Sequence, residues 1–322
     1  MAPRGRSLPK AAFAPVFAKQ KTTTYSDLPP QRVTSAHALR SVAWNPLGTL
    51  IATGAGDRTL RIWNPEKSQV KNSTELRGHS SAVERVAWNP EKEAELASCG
   101  SDGVVRLWDV RSKGSVGEVK VAGEGFTLAW RPDGSELLVG TKDDTLIPIS
   151  RSTLTPLASH RQPVQTNQTM FSHSGNELFL TTGEGHVKIL DYPSMEVLHT
   201  LNAHTSSCLS LDFSPTAAYL AIGGSDALIT LWDSYDWVCG RSLGGMLGSV
   251  RSVSFSFDGS YIVGGSDEGA SLEIAHVETA EYVHHVETDA AAPCVAWHPS
   301  KYVLAYSGDV QGLKIIGSIG GN

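Results

Sequence analysis

The sequence lacks the paired cysteines of a disulfide-rich secreted protein and the long apolar runs of a membrane protein. Four of its 322 residues are cysteines, and Cys99, Cys208, Cys239 and Cys294 are too scattered to suggest a paired framework. We interpret them as small buried hydrophobic side chains in a reducing compartment. No stretch approaches the roughly 20 apolar residues of a membrane-spanning helix, and the N-terminus lacks the apolar core of a signal peptide. These absences predict an intracellular protein.

Basic residues are also scarce, except at the N-terminus. The net charge is −6, but the first 32 residues carry +5, which leaves −11 for the rest. An acidic body disfavours binding to a phosphate backbone, since nucleic-acid affinity depends on dense Lys and Arg contacts. We expect residues 1–30 to form a disordered basic tail, rich in Pro, Ala and Thr. Such a tail could touch RNA weakly, although a solvated arm is the favoured interpretation.

Sequence motifs for catalysis are missing as well. The glycine-rich run at residues 244–249 lacks the lysine of a phosphate-binding loop, and no Gly-x-Ser-x-Gly elbow is present. His284 and His285 would point to opposite faces of a strand, which is poor geometry for holding one metal ion. We therefore expect no catalytic residue, no metal site and no cofactor.

A repeat dominates what is present. Seven aromatic residues, which we call the anchors, recur every 41 to 44 residues along the chain. They are Trp44, Trp88, Trp130, Phe171, Phe213, Phe255 and Trp297. A period of roughly 40 to 45 residues is typical of propeller blades, each a small antiparallel sheet. The sequence predicts an all-β, seven-bladed β-propeller over residues 31–318, with residues 319–322 as a C-terminal tail.

The second repeat shows the pattern most clearly. Gly78 and His79 open it, Ser98 lies in its second strand, Asp102 in the following turn, and Trp108 and Asp109 end its third strand. This Gly-His … Trp-Asp arrangement resembles the WD40 repeat family over about nine tenths of the chain. The resemblance implies a hydrogen-bonded network in each blade, in which His binds the turn Asp, a strand Ser or Thr binds the His, and the Trp indole binds the hydroxyl.

The network carries over to some repeats only. The first repeat offers His37, Thr53, Asp57 and Trp63. The fifth offers His204, Asp226 and Trp232, but Ile222 replaces the hydroxyl. The other four repeats keep strand patterning and anchors without the network. In the third, Pro148 stands where a strand should donate a ladder hydrogen bond, which predicts a local irregularity.

Closure of the ring follows from the same register. The seventh repeat ends near Ser318, with no residues left for its fourth strand. We predict that residues 31–36 form an N-terminal strand that pairs with the seventh blade and so removes an exposed sheet edge.

A partner-binding surface is the remaining expectation. In the WD40 family the usual contact surface is the narrower face, around the strands that approach the anchors. The candidates at that register are Arg40, Glu84, Arg85, Phe126, Leu209 and Arg251. Aromatic residues and Arg dominate binding hot spots, but each of these residues can equally be an ordinary rim residue.

Several segments go beyond the general WD40 pattern. Residues 123–134, 179–193, 250–256 and 274–279 resemble the THO complex subunit 3 family, and some of them lie in repeats that lack the network. The resemblance implies a nuclear, non-catalytic propeller docked on a large helical scaffold subunit, in the THO/TREX assembly that links transcription to mRNA packaging and export. The alternatives are another scaffold, such as a ubiquitin-ligase substrate receptor or a chromatin-associated propeller, and an RNA-binding protein that uses its basic tail.

Overall fold

Seven antiparallel sheets are arranged in a ring in the computed structural model, which describes residues 6–27, 34–66, 72–308 and 312–319. The first strand of each sheet contacts the first strands of both neighbouring sheets, and the seventh sheet contacts the first. The predicted all-β, seven-bladed propeller is therefore confirmed. Within the described part of the chain, no helix is long and apolar enough to cross a membrane.

Each blade runs outward from the centre in chain order. The strands of blades 1 to 3 are β2 (Leu39–Trp44), β3 (Ile51–Ala55), β4 (Thr59–Trp63), β5 (Thr74–Arg77), β6 (Val83–Trp88), β7 (Glu95–Gly100), β8 (Val104–Asp109), β9 (Gly114–Lys120), β10 (Gly125–Trp130), β11 (Glu136–Thr141), β12 (Thr145–Ser150), β13 (Thr155–Pro156) and β14 (His160–Arg161).

The remaining blades follow the same order. The strands of blades 4 to 7 are β15 (Thr166–Phe171), β16 (Glu177–Thr182), β17 (His186–Asp191), β18 (Val197–Asn202), β19 (Cys208–Phe213), β20 (Tyr219–Gly224), β21 (Ile229–Asp233), β22 (Cys239–Leu243), β23 (Val250–Phe255), β24 (Tyr261–Ser266), β25 (Ser271–His276), β26 (Glu281–Glu287), β27 (Val295–Trp297), β28 (Leu304–Ser307) and β29 (Leu313–Ile316).

The hydrophobic core lies between adjacent blades. All six residues of β7 are buried, because neighbouring blades cover both faces of each sheet. The anchors help to join the blades: the indole N–H groups of Trp44, Trp88 and Trp130 each donate to a backbone carbonyl of the preceding blade at 3.0 Å. A constant anchor spacing thus reflects a constant contact between blades.

The irregularity predicted at Pro148 is confirmed. The outer strand of blade 3 is divided into two short strands, β13 and β14. They pair with the two ends of β12 and leave its middle without a ladder partner on the outer side, whereas Pro148 still pairs with Leu138 of β11 on the inner side. Proline has no N–H to donate, so the ladder cannot continue past it.

An N-terminal strand closes the ring, as predicted, but at a different place. The closing strand is β1 (Thr22–Tyr25), which pairs with β29 from Thr22 opposite Ile316 to Tyr25 opposite Leu313. The prediction of residues 31–36 is wrong in its described part, where Ser35–His37 forms a 3-10 helix; residues 31–33 lie outside the described residues. The sequence Thr-Thr-Thr-Tyr suits a strand because β-branched and aromatic side chains favour pleated backbone.

The expected tail boundary at residue 30 changes too. A helix, α1 (Lys10–Phe17), precedes β1 and packs against β26. Phe13 is fully buried and Phe17 is 2% exposed, and the Phe13 ring stacks on Tyr261 with 3.8 Å between ring centroids. Residues four apart share one helix face, so the two phenylalanines fill the same aromatic cluster. We call residues 7–27 the N-terminal arm. Residues 1–5 and 28–30 of the predicted tail lie outside the described residues.

The arm also reaches blade 1 at its far end. The Asp27 carboxylate accepts hydrogen bonds from the Arg61 guanidinium at 3.1 Å and from the Ser73 backbone N–H at 2.6 Å. At the other terminus, Ile319 is buried and belongs to the core, so the expected start of the C-terminal tail at residue 319 is also wrong. The arm thus contacts blades 6, 7 and 1 in succession.

The cysteines are buried with one exception. Cys99 and Cys208 are fully buried and Cys294 is half-buried, as expected of small hydrophobic side chains. Cys239 is exposed because it starts β22, an outer strand at the circumference of blade 5. For this residue the expectation of burial is wrong.

Candidate functional site

A β-bulge lies at the start of the innermost strand in six of the seven blades. In each case the pairing register with the second strand shifts across one extra residue, four positions before the anchor. The extra residues are Arg40, Glu84, Phe126, Asn167, Leu209 and Arg251. Bulges at the rims of closed sheets re-aim side chains, and here they direct six side chains to one end of the ring.

These six residues surround the entrance of a cavity of about 630 Å³ on the propeller axis. Pro293 of blade 7 completes the circle, so every blade contributes to what we call the channel mouth. All six sequence-predicted partner-binding residues line this cavity, Arg85 being one position further along its strand. Their role in binding stays a prediction, but the structure places them together.

Asn167 was missed at the level of sequence. It occupies the same bulge position in blade 4, four residues before Phe171, so the anchor register alone would have identified it. Its side chain is 6% exposed, and its amide donates to the Cys208 carbonyl at 2.7 Å. Asn167 therefore joins blades 4 and 5 and is not available at the rim.

Two of the arginines at the mouth are ion-paired within the protein. The Arg40 guanidinium donates to the Glu84 carboxylate at 2.5 Å, and the Ser101 hydroxyl donates to the same carboxylate at 2.7 Å. Arg251 donates to Asp267 at 2.7 Å. The side chains of Arg40 and Arg251 are 45% and 49% exposed, whereas the Glu84 side chain is 8% exposed, so the guanidinium groups face solvent at the rim.

Deeper in the channel, two charged side chains have no such partner. The Arg85 guanidinium makes no hydrogen bond or ion pair with any described residue. Asp212, on blade 5, accepts the backbone N–H of Phe255 at 2.8 Å, and burial raises the pKa of its carboxyl to about 7. Both residues also line a second cavity, of about 570 Å³, that opens at the opposite end of the ring. They therefore lie midway along the channel.

The blade 2 network assembles all four of its predicted members. The Nδ1–H of His79 points to Asp102 at 3.0 Å, its Nε2 lies 2.7 Å from the Ser98 hydroxyl, and the Trp108 indole donates to Ser98 at 2.9 Å. The hydrogen positions are assigned from this network. Burial lowers the pKa of His79, so the neutral ring is favoured and both its nitrogens are occupied.

The network predicted for blade 1 is wrong at its histidine. The Trp63 indole does donate to Thr53 at 2.9 Å, but His37 lies 3.9 Å from Asp57 and bonds Thr34 instead. Arg61, opposite Thr53 in the ladder, takes the Asp57 carboxylate. A guanidinium is a stronger partner for a carboxylate than a neutral imidazole, so the arginine displaces the histidine.

The blade 5 network is more complete than predicted. His204 lies 2.9 Å from Asp226, as expected. The hydroxyl that Ile222 lacks comes from Thr230, which accepts from the Trp232 indole at 3.0 Å and lies 3.2 Å from His204 Nε2. Sequence reasoning missed Thr230 because the WD40 pattern places the hydroxyl on the second strand and not on the third.

The remaining histidines and acids do not form a reactive cluster. Among the residues that the structure describes, no group of three or more His, Cys, Asp or Glu side chains is placed to hold a metal ion. His284 contacts Phe17 edge-to-face, whereas His285 bonds Glu273, so the pair does point to opposite faces of β26. His298 bridges Gly48 and Ser300 in the turn after its anchor.

Comparison with known proteins gives a consistent result. Residues 35–307 match the family model described as the THOC3 beta-propeller domain. The chain is 37% identical to THO complex subunit 3 of Arabidopsis thaliana over 278 residues, which cover 86% of this chain and 88% of that protein. It is 32% identical to WD repeat-containing protein AAC3 of Dictyostelium discoideum, over 84% of this chain and 62% of that protein.

A solved structure supports the fold alone. The Cps50 (Swd1) β-propeller domain of Myceliophteria thermophila aligns with a TM-score of 0.78 at 20% identity, and the match covers 93% of this chain and 100% of that chain. The family model spans most of the propeller, and the plant relative matches over nearly its full length. The chain therefore belongs to the THO complex subunit 3 family of WD-repeat β-propellers.

Proposed function

We propose that this protein is a non-catalytic scaffold subunit of a nuclear THO/TREX-type complex, which couples transcription to mRNA packaging and export. The observation that carries the proposal is the 37% identity to THO complex subunit 3 over 86% of the chain. Its partners would be the large helical scaffold subunit and the other THO subunits, and it would be located in the nucleus.

The chemistry of the buried polar groups supports a scaffold role. Burial raises the pKa of the Cys99 and Cys208 thiols to about 12, which keeps them protonated and unreactive. His79 and His204 are engaged at both ring nitrogens by their blade networks. These histidines thus bond strands within their own blades, and these thiols are shielded in the core.

The shape of the molecule suits partner docking. The ring of sheets is closed, and its bulges at one end place Arg40, Glu84, Phe126, Leu209 and Arg251 around the mouth. Binding residues are commonly positioned on such loops and rims by a rigid framework. We propose this end, the channel mouth, as a partner-binding surface.

Affinity purification tests the assignment. A tagged full-length chain, expressed in place of the natural copy, should recover the THO subunits from nuclear extract, as identified by mass spectrometry. The matched control is the same extract from untagged cells. Recovery of ubiquitin-ligase or chromatin components without THO subunits would overturn the proposal.

We also propose that any RNA contact is weak and passes through the basic N-terminal residues. Deleting residues 1–30 would not test this cleanly, since it would remove α1 and β1. The substitutions Lys19→Gln and Lys21→Gln neutralise exposed arm residues and leave its apolar contacts in place. Salt-sensitive RNA binding that these two changes abolish would show that the arm is the contact.

A further inference from the structure

The charges at the channel mouth do not balance. Glu84 neutralises Arg40 and Asp267 neutralises Arg251, but no carboxylate in the described part of the chain pairs with Arg85. Asp212 does not compensate, because it makes no ion pair with Arg85 and its raised pKa leaves much of it neutral near pH 7. One uncompensated positive charge therefore remains in the channel of a protein whose body is acidic.

The mouth is also chemically divided. Its charged side chains, Arg251, Arg40 and Glu84, lie on blades 6, 1 and 2, and Arg85 of blade 2 lies below them in the channel. On blades 3 to 5 the bulge positions are uncharged: Phe126 and Leu209 flank Asn167, whose amide is already bonded. A ligand seated here meets a guanidinium on one side and an apolar surface on the other.

We propose that the channel mouth binds an extended peptide segment of a protein partner, with one Asp or Glu side chain on Arg85 and a neighbouring large apolar side chain on Phe126 and Leu209. This rests on the proposed function, since it specifies the partner chemistry of the same face. A guanidinium binds a carboxylate through two parallel hydrogen bonds, and the cavity of about 630 Å³ is within the range of ligand sites.

A peptide fits better than a nucleic acid. Polyanions need several uncompensated cations, because their affinity comes from many phosphate contacts. The mouth offers one, and the rim carboxylates Glu84 and Asp267 would repel neighbouring phosphates. The apolar side of the mouth has no role in binding a phosphate backbone.

A peptide selection tests the proposal. Phage displaying random dodecapeptides are selected on the immobilised full-length chain and, in parallel, on Arg85→Gln. We expect the wild-type selection to enrich peptides with Asp or Glu within about two residues of Leu, Ile, Met or Phe, and the Arg85→Gln selection not to enrich them. Failure to select any binding peptide, or enrichment of peptides without an acid, would overturn the proposal.

The best peptide is then synthesised with a fluorescent label, and its Kd is measured by anisotropy. Replacing its acid by the corresponding amide, or Arg85 by Gln, should raise Kd by at least about tenfold, and combining both should add little, since they remove the same interaction. Arg111→Gln is the matched control: this exposed arginine lies in the turn after β8, outside the mouth, and should leave Kd unchanged. Equal Kd values for wild type and Arg85→Gln would refute the inference.

Two further experiments distinguish the alternatives. Phe126→Ser tests the apolar side of the mouth independently and should weaken binding of the same peptide. This test remains valid even if Arg85→Gln proves unstable in thermal melts. A labelled 15-nucleotide oligouridine should not bind. If it binds and its binding depends on Arg85, the ligand of the mouth is RNA and the peptide proposal is wrong. If the wild-type chain recovers THO subunits but selects no acid-dependent peptide, this inference alone is wrong. If the wild-type chain does not recover THO subunits, the proposed function is wrong.

Discussion

Thr230 lies directly opposite Ile222 in the ladder between β20 and β21, and its hydroxyl accepts the indole N–H of Trp232 at 3.0 Å. The same hydroxyl lies 3.2 Å from His204 Nε2. In blade 2 the corresponding hydroxyl is on Ser98, opposite Arg106. The two blades therefore build one network from opposite members of the same cross-strand pair.

Thr230→Val should destabilise the protein by about 1–3 kcal/mol, because the nearly isosteric valine leaves the buried indole N–H without an acceptor. The measurement is urea unfolding followed by tryptophan fluorescence. Thr200→Val is the matched control, since Thr200 is exposed on β18 and should change the free energy of unfolding by less than about 0.5 kcal/mol. Equal effects of the two substitutions would mean that the blade 5 network contributes no stability.

His298 should make stability depend on pH. It is 2% exposed; its Nε2 lies 3.0 Å from the Gly48 carbonyl, and its Nδ1 accepts the Ser300 N–H at 3.0 Å. Burial lowers its pKa from 6.5 to about 4. Between pH 6.5 and 4, the unfolded chain therefore binds a proton at His298 that the folded chain does not bind. About 3 kcal/mol of stability should be lost as the pH falls through this range.

The check is a comparison of unfolding free energies across that pH range. His298→Gln keeps one donor and one acceptor but cannot titrate, so its curve should be flatter than that of wild type. His199→Gln, at an exposed position on β18, should parallel the wild-type curve. A wild-type curve that parallels His298→Gln would show that His298 is not responsible.

The N-terminal arm should be essential for stability. Phe13→Ala removes a fully buried ring from the cluster with Tyr261 and should cost about 3–5 kcal/mol. Val16→Ala is the control: Val16 lies on the same helix and is 44% exposed, so its substitution should change the free energy of unfolding little. Deletion of residues 1–36, which removes both α1 and β1, should lower the melting temperature sharply; an unchanged Tm would disprove closure by the arm.

Thiol reactivity should distinguish the four cysteines. Ellman's reagent at pH 8 should modify Cys239 rapidly in the folded protein, since that thiol is exposed. Cys99 and Cys208 should react only on unfolding, because burial both shields them and raises the pKa of each thiol to about 12. Cys239→Ser should abolish the fast phase and Cys99→Ser should leave it intact; a fast phase that survives Cys239→Ser would contradict the assignment.

The blade count and the channel mouth could be predicted from the sequence because both depend on one register. The indole N–H groups of Trp44, Trp88 and Trp130 bond the preceding blade, and in six blades a bulge lies four residues before the anchor. Counting back from Trp44 or Trp88 therefore locates Arg40 or Glu84 without knowledge of the fold.

Other features depend on contacts that the repeat does not encode. Residues 22–25 and 31–36 both offer strand-forming side chains, and only pairing with β29 selects the former. Phe13 and Phe17 carry no repeat signature; they are fixed by an aromatic cluster distant in sequence. Arg61 and Arg106 occupy the same register, yet Arg61 takes the turn aspartate of its blade while Arg106 pairs with Glu118.

The bulges have a consequence for how this surface can change. Each extra residue stands outside the ladder between the first two strands, so replacing it breaks no strand pair. Asn167 is the exception in its role, because its buried amide joins blades 4 and 5. At the exposed bulge positions, a new side chain can therefore change the surface that a partner meets while the strand pairing that builds the ring stays as it is.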